Sequence, residues 1–139
     1  MRPLRQAEIA GLLADDAVAY LATIDQAGYP HVTPIWFLWD GNAFRLTSLA
    51  DRPHVRRIRR NSRVGVVVDR ELGLRADGQR PNRQLRIIGD AELADDQHGH
   101  WTARIREKYL RSSAELIPND DDRILITITP VRTWAVASV

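Results

Sequence analysis

No apolar run in this chain exceeds the length of a strand. Runs such as residues 35–39 and 64–68 are one strand each in length, against the roughly 20 apolar residues that a membrane-spanning helix needs. Runs of this size bounded by Gly, Pro, Asn and Asp restrict a chain to short strands and short helices. Residues 18–24 have strand composition and stop at Asp25-Gln26-Ala27-Gly28, a turn signal. Residues 31–39 read as a second strand, and Asp40-Gly41-Asn42 as the hairpin turn into a third at residues 43–48. Pro34 removes a ladder donor inside the second strand, which predicts an edge position or a bulge there. Three strands joined by tight turns make an antiparallel meander.

The rest of the chain alternates in the same way. Residues 3–13 place Ile9, Leu12 and Leu13 on one helical face. Asp51-Arg52-Pro53 caps and opens a short helix to residue 60, with Val55 and Ile58 facing inward. Residues 63–69 form a valine-rich strand, and residues 70–82 read as a long loop. In the strand at residues 84–93, Leu85, Ile87 and Gly89 alternate with Arg86, Ile88 and Asp90. Asp95-Asp96 start the longest helix, whose buried face carries Trp101, Ile105, Lys108 and Tyr109. Residues 123–129 and 131–136 close the chain as two strands joined at Pro130. Six or seven antiparallel strands with short helices predict a mainly β, α+β domain built on a closed or partly closed barrel. All 139 residues fit one such domain, large enough to bury roughly two-thirds of its unfolded surface.

Charge narrows the chemistry. The chain has no cysteine, so thiolate metal sites, cysteine nucleophiles and disulfides are excluded. Its 20 basic residues are all arginine except Lys108, and the net charge is only +2. That balance does not make a nonspecific nucleic-acid binder, and no nucleic-acid partner is expected. The basic residues are unevenly spread: residues 52–63 hold Arg52, Arg56, Arg57, Arg59, Arg60 and Arg63, with Asp51 the one bordering acid. His98 and His100 point about 200° apart on a helix and do not share a metal readily. His31 reads as a surface or barrel-mouth residue, and Asp120-Asp121-Asp122 as solvated loop charge without calcium-loop spacing. No Gly-x-Ser-x-Gly elbow, dinucleotide fingerprint or Walker sequence occurs. No metal site and no dedicated catalytic side chain emerge. What does emerge is an anion site. A strand ending in Thr47-Ser48 runs into a helix N-terminus flanked by Arg52, His54, Arg56 and Arg57, where hydroxyls, free N–H groups and the helix dipole converge. The competing reading is a surface helix whose arginines are merely solvated.

Three stretches, taken in order, carry a family likeness. They are residues 21–37 (LATIDQAGYPHVTPIWF), Thr47-Ser48 followed by residues 55–64 (VRRIRRNSRV), and residues 86–93 (RIIGDAEL). In this order the chain resembles the pyridoxamine 5′-phosphate oxidase-like, FMN-binding split-barrel proteins. The resemblance implies a six- to seven-stranded antiparallel Greek-key split β-barrel with flanking short helices, paired as a homodimer. It also implies a flavin (FMN) or deazaflavin (coenzyme F420) in a groove between subunits, passing a hydride to or from a small organic substrate. The arginine-for-lysine bias is a compositional pointer towards F420.

The cofactor ring would lie along residues 32–37, giving Pro34, Ile35 and Trp36 as contacts. Its phosphate would be held by Thr47, Ser48, Arg52, His54 and Arg57, with Asn61 closing the segment. Trp36 and Trp39 are both candidates to line the groove, and the 70–82 loop to close over it. The family's Ser-Arg-Lys cluster is here Arg52-Pro53-His54, and a histidine beside a dianionic phosphate gains a raised pKa. The chain also lacks the C-terminal segment with which pyridoxal-forming oxidases hold their substrate, so vitamin B6 oxidation is not expected. The altered cluster motivates the alternative of a non-catalytic cofactor- or small-ligand-binding protein on the same scaffold. With no apolar leader segment at Met1-Arg2-Pro3-Leu4-Arg5, a cytoplasmic protein is expected.

Overall fold

The alternation of apolar and polar residues resolves into one curled antiparallel sheet. A computed structural model describes residues 1–111 and 122–138. Among the described residues, eight strands form this sheet: β1 (Arg2–Pro3), β2 (Ala19–Ile24), β3 (Pro30–Ile35), β4 (Leu38–Trp39), β5 (Phe44–Leu49), β6 (Arg63–Glu71), β7 (Asn82–Asp95) and β8 (Arg123–Ala137). Helices α1 (Gln6–Ala14), α2 (Pro53–Arg60) and α3 (His100–Leu110) flank it. The strand order is β3-β2-β6-β7-β8-β5-β4, with β1 added on β8. Strands far apart in sequence, β2 with β6 and β5 with β8, are therefore neighbours, as a Greek key requires. β3 and β4 are the two ends of the path, so the barrel is split between them.

Inward-facing residues of both halves meet in one core that includes Leu21, Phe37, Phe44, Leu46, Val66 and Ile126, and Val55 and Ile58 of α2 join it. A buried leucine or phenylalanine contributes about 1.5–3 kcal/mol through lost apolar exposure. Leu12 and Leu13 fix α1 to the same core, as the helical spacing predicts.

The structure corrects several element boundaries. The expected strand at residues 31–39 is two strands, because the chain leaves the ladder at Trp36 and Phe37. There the Phe37 N–H donates to the Tyr109 hydroxyl at 3.3 Å, and the Phe37 carbonyl accepts from Lys108 Nζ at 2.9 Å. α3 thus replaces a strand partner. Conversely, the two closing strands are one, since β8 runs through Pro130. Pairing shifts by one residue there: Gly89 faces Pro130, Ile88 faces Arg132, and Val131 is the extra residue of a bulge. Gly89 makes this possible, because a Cβ on it would sit 2.5 Å from the Thr129 carbonyl oxygen.

The expected 70–82 loop shortens to residues 72–81, because Glu71 and Asn82 still pair. α3 starts at His100 after a single 3₁₀ turn (Gln97–Gly99), and α1 starts at Gln6 because Arg2 and Pro3 pair with β8. Asp96 nonetheless caps α3: its buried carboxylate accepts the N–H groups of Trp101 and Thr102, each at 3.0 Å. Asp120 and Asp121 lie outside the described residues.

Candidate functional site

α3 bridges the split. Its Thr102 hydroxyl bonds the Thr47 hydroxyl of β5 at 2.9 Å, and lies 2.7 Å from Asp96 Oδ2. Two turns further on, the Tyr109 ring stacks on Trp36, with centroids 4.7 Å apart and planes 4° from parallel. Between these contacts lies a groove of about 240 Å³, lined by Ile35, Trp36, Thr47, Thr102, Ile105 and Arg106, with Arg123 at its edge. The wall is apolar and aromatic on one side and carries two hydroxyls and two guanidinium groups on the other. A flat, partly polar ring suits such a lining.

A single turn, closed by the Arg52 N–H donating to the Leu49 carbonyl at 3.1 Å, carries the chain from β5 to α2. Arg52 is the N-cap of α2 and Pro53 opens it; no acidic residue occupies the first turn. His54 is 8% exposed, and its Nε2 is buried with no hydrogen-bond partner. Burial first, then the positive charges of Arg57 and Arg52, hold its pKa below the ordinary histidine value. A buried polar atom without a partner costs roughly 1–3 kcal/mol. An anion at this helix start would meet the His54 backbone N–H, the dipole and the Arg52 charge, and would reverse the shift on His54.

The residues singled out from the sequence do not all converge. Ile35, Trp36 and Thr47 share the groove, and Arg52 and His54 share the start of α2. Ser48 follows Thr47 on a strand and therefore points the other way, into the buried side with Phe44 and Leu46. Arg57 also turns inward, its Nε donating to the buried Thr23 hydroxyl at 2.7 Å. Asn61 is the C-cap of α2, its side-chain oxygen accepting the Arg63 N–H at 3.1 Å. It lies about 12 Å from the helix start. Pro34 faces the outer side of the sheet beside Tyr20. Trp39 packs on Phe44, with ring centroids 4.8 Å apart, and lines a separate cleft against α1. The 72–81 loop lines none of these clefts, and Arg75 and Arg80 pair with Asp77 and Glu71.

Sequence reasoning missed the contribution of α3 to the groove. Thr102, Ile105 and Tyr109 lie at helical spacing on one face of α3, a pattern that also marks an ordinary core-facing helix. Only the tertiary docking of α3 across the split separates the two roles.

The outer sheet face is a second feature. Register aligns Val32, Ala22, Gly65 and Ile88 in one row, and Pro34, Tyr20, Val67, Arg86 and Trp134 in the next. Val32 is 64% and the bulged Val131 61% exposed. Two adjoining clefts of about 620 and 540 Å³ cross this face. Contiguous exposed apolar surface of this kind marks an interaction site. Among the described residues no group of three or more His, Asp or Glu side chains is placed to hold a metal ion. No helix among them is long and apolar enough to cross a membrane.

Known proteins agree with this architecture. The family model described as pyridoxamine 5′-phosphate oxidase matches residues 6–137. A solved structure named F420 reductase is 28% identical, with a TM-score of 0.70 over 88% of this chain and 93% of its own. The conserved hypothetical protein Rv2991 of Mycobacterium tuberculosis is 23% identical, with a TM-score of 0.75 over 95% of this chain and 84% of its own. A FAD-binding protein of Mesorhizobium loti is 21% identical, with a TM-score of 0.73 over 99% and 98% of the two chains. No curated protein matches the sequence. With the family model covering nearly the whole chain, the chain belongs to the pyridoxamine 5′-phosphate oxidase family.

Proposed function

We propose that the protein is an oxidoreductase that binds a flavin-type cofactor, the deazaflavin F420 before FMN, and passes a hydride between it and a small organic substrate. The observation that carries this reading is the groove across the split, with an aromatic and apolar wall facing paired hydroxyls one turn from a cationic helix start. F420 is placed first because the similar chain that bears its name is 28% identical over 88% of this one. The remaining neighbours above are less identical and speak for the fold alone.

In this reading the bound ring supplies the hydride chemistry. Trp36, Ile35 and Ile105 exclude water from one side, and Thr47 and Thr102 offer hydrogen bonds on the other. Arg52 and the His54 backbone N–H take the phosphate, with His54 Nε2 as the orphan donor it would satisfy. No acid or base is required of the protein in such a reaction.

Two further observations support a homodimer. A groove of about 240 Å³ is smaller than the roughly 300–1,000 Å³ that encloses a drug-sized ligand, so a second copy would complete it. The apolar outer face of β2, β3, β6, β7 and β8 gives that copy a surface to bury. The alternative, a ligand-binding protein without redox turnover, keeps the same groove and differs only in the fate of bound cofactor.

Titration of Trp36→Leu and Trp39→Phe with F420, followed by cofactor fluorescence, tests the placement. Trp36→Leu is expected to weaken binding about tenfold, the order of one lost aromatic contact, and Trp39→Phe to leave it unchanged. Equal loss in both, or in neither, would remove the groove from the proposal.

A further inference from the structure

Lys108 is the one lysine in a chain whose other basic residues are all arginine. Its side chain is part-buried. Its Nζ donates to two backbone carbonyls from different parts of the fold, Phe37 at 2.9 Å and Leu13 of α1 at 3.2 Å. It sits 3.6 Å from the centroid of the Phe37 ring and 4.9 Å from that of Tyr109. Two carbonyls converging on one point beneath an aromatic face require a compact ammonium. The flat fork of a guanidinium is matched to carboxylates and phosphates instead. The position is filled by the one residue type that the rest of the chain avoids.

What this ammonium holds is the place where the chain leaves the sheet. Phe37 has no strand partner for its N–H or its carbonyl; Tyr109 takes the first and Lys108 the second. Tyr109 is itself tied down, its hydroxyl donating to the Ala17 carbonyl at 2.8 Å. Trp36 precedes Phe37, lies against the Tyr109 ring and forms a wall of the groove while 40% exposed. The ring has no other support from the ladder, since β3 ends at Ile35.

We infer that Lys108 is a positioning residue for the groove: by pinning the Phe37 carbonyl it fixes Trp36 against Tyr109 and so sets the shape of the wall. The consequence for ligand binding rests on the function proposed above, whereas the effect on Trp36 does not. Burial lowers the Lys108 pKa to about 8, against the attraction of Asp15 and Asp16 on the segment joining α1 to β2. Those two carboxylates are shared with Arg70 of β6, and Asp16 also with Arg111 at the end of α3. Tyr109, its pKa pushed up to about 12 mainly by burial, stays neutral in the same range. Raising the pH through 8 therefore removes the ammonium and leaves the rest of the latch in its protonation state.

Fluorine NMR of protein labelled with 5-fluorotryptophan reads this directly, with the Trp36 signal assigned by Trp36→Phe. In the wild type the Trp36 resonance is expected to shift with a midpoint near pH 8, while those of Trp101 and Trp134 stay in place. Lys108→Met is expected to give a displaced Trp36 resonance at every pH, and Lys108→Arg is expected not to restore it. F420 affinity, measured in parallel, should fall about tenfold in both variants, the order of one lost charged hydrogen bond. Its decline above pH 8 should vanish in Lys108→Met. If Lys108→Met does not fold, Lys108→Arg and the wild-type titration decide. A Trp36 signal at its wild-type position in a folded variant would overturn the inference. If F420 and FMN both fail to bind the wild type, the functional reading falls, and the Trp36 result still judges the latch.

Discussion

His54 shows how much one buried atom can reveal. Its Nε2 has no partner, and burial with two nearby arginines lowers its pKa. The unfolded chain then takes up a proton that the folded one resists. The folded value lies below the unfolded one, so the stability His54 permits is complete above about pH 6.5 and is lost as pH falls through it. The melting temperature is expected to drop between pH 7 and pH 5 in the wild type and to drop less in His54→Leu. Equal slopes in calorimetry would contradict a neutral buried imidazole. At this scale the sequence placed Arg52 and His54 together because they adjoin one helix start. It could not separate Thr47 from Ser48, since a register shift of one residue swaps their faces.

Among the elements, β7, β8 and α3 diverge most from what local pattern predicts. Pro130 reads as a strand break because it lacks an N–H donor. It is instead absorbed by a bulge opposite Gly89, where the β8 backbone approaches too closely for any side chain. Gly89→Ala is expected to cost about 1–3 kcal/mol, the range of an overpacked interior, read by urea denaturation. Gly11→Ala, on α1 with nothing within 4 Å of the added carbon, should cost nothing and even stabilise the helix. A Gly89→Ala variant as stable as wild type would mean that the bulge is not held as described. The hairpin of β2 and β3, by contrast, was legible, because Asp25 closes its own turn by accepting the Ala27 and Tyr29 N–H groups at 2.9 Å. The role of α3 was not legible. Its helical spacing records a buried face, and nothing local says that the face spans a split.

For the whole molecule, strand order is the property least visible in periodicity. β5 pairs with β8 across some 80 residues, and no local signal encodes that pairing. It was the ordered family motifs that pointed to a split barrel. The proposed dimer belongs to this scale as well. Ile88 ends the outer apolar row and lines both clefts on this face, half in solvent, so Ile88→Glu would place a charge where a second copy packs. Sedimentation is expected to show a dimer for the wild type and a monomer for Ile88→Glu, with cofactor binding lost along with the dimer. A wild-type monomer would leave the small groove as the complete site and contradict the shared-site reading.

The most direct measurement is titration of the purified wild-type protein with F420 and, separately, with FMN, followed by absorbance and fluorescence. Saturable binding in the micromolar range, tighter for F420 and with one equivalent per chain, is the expected result. If neither cofactor binds at high micromolar concentration, the proposed oxidoreductase is contradicted, and the groove belongs to some other ligand.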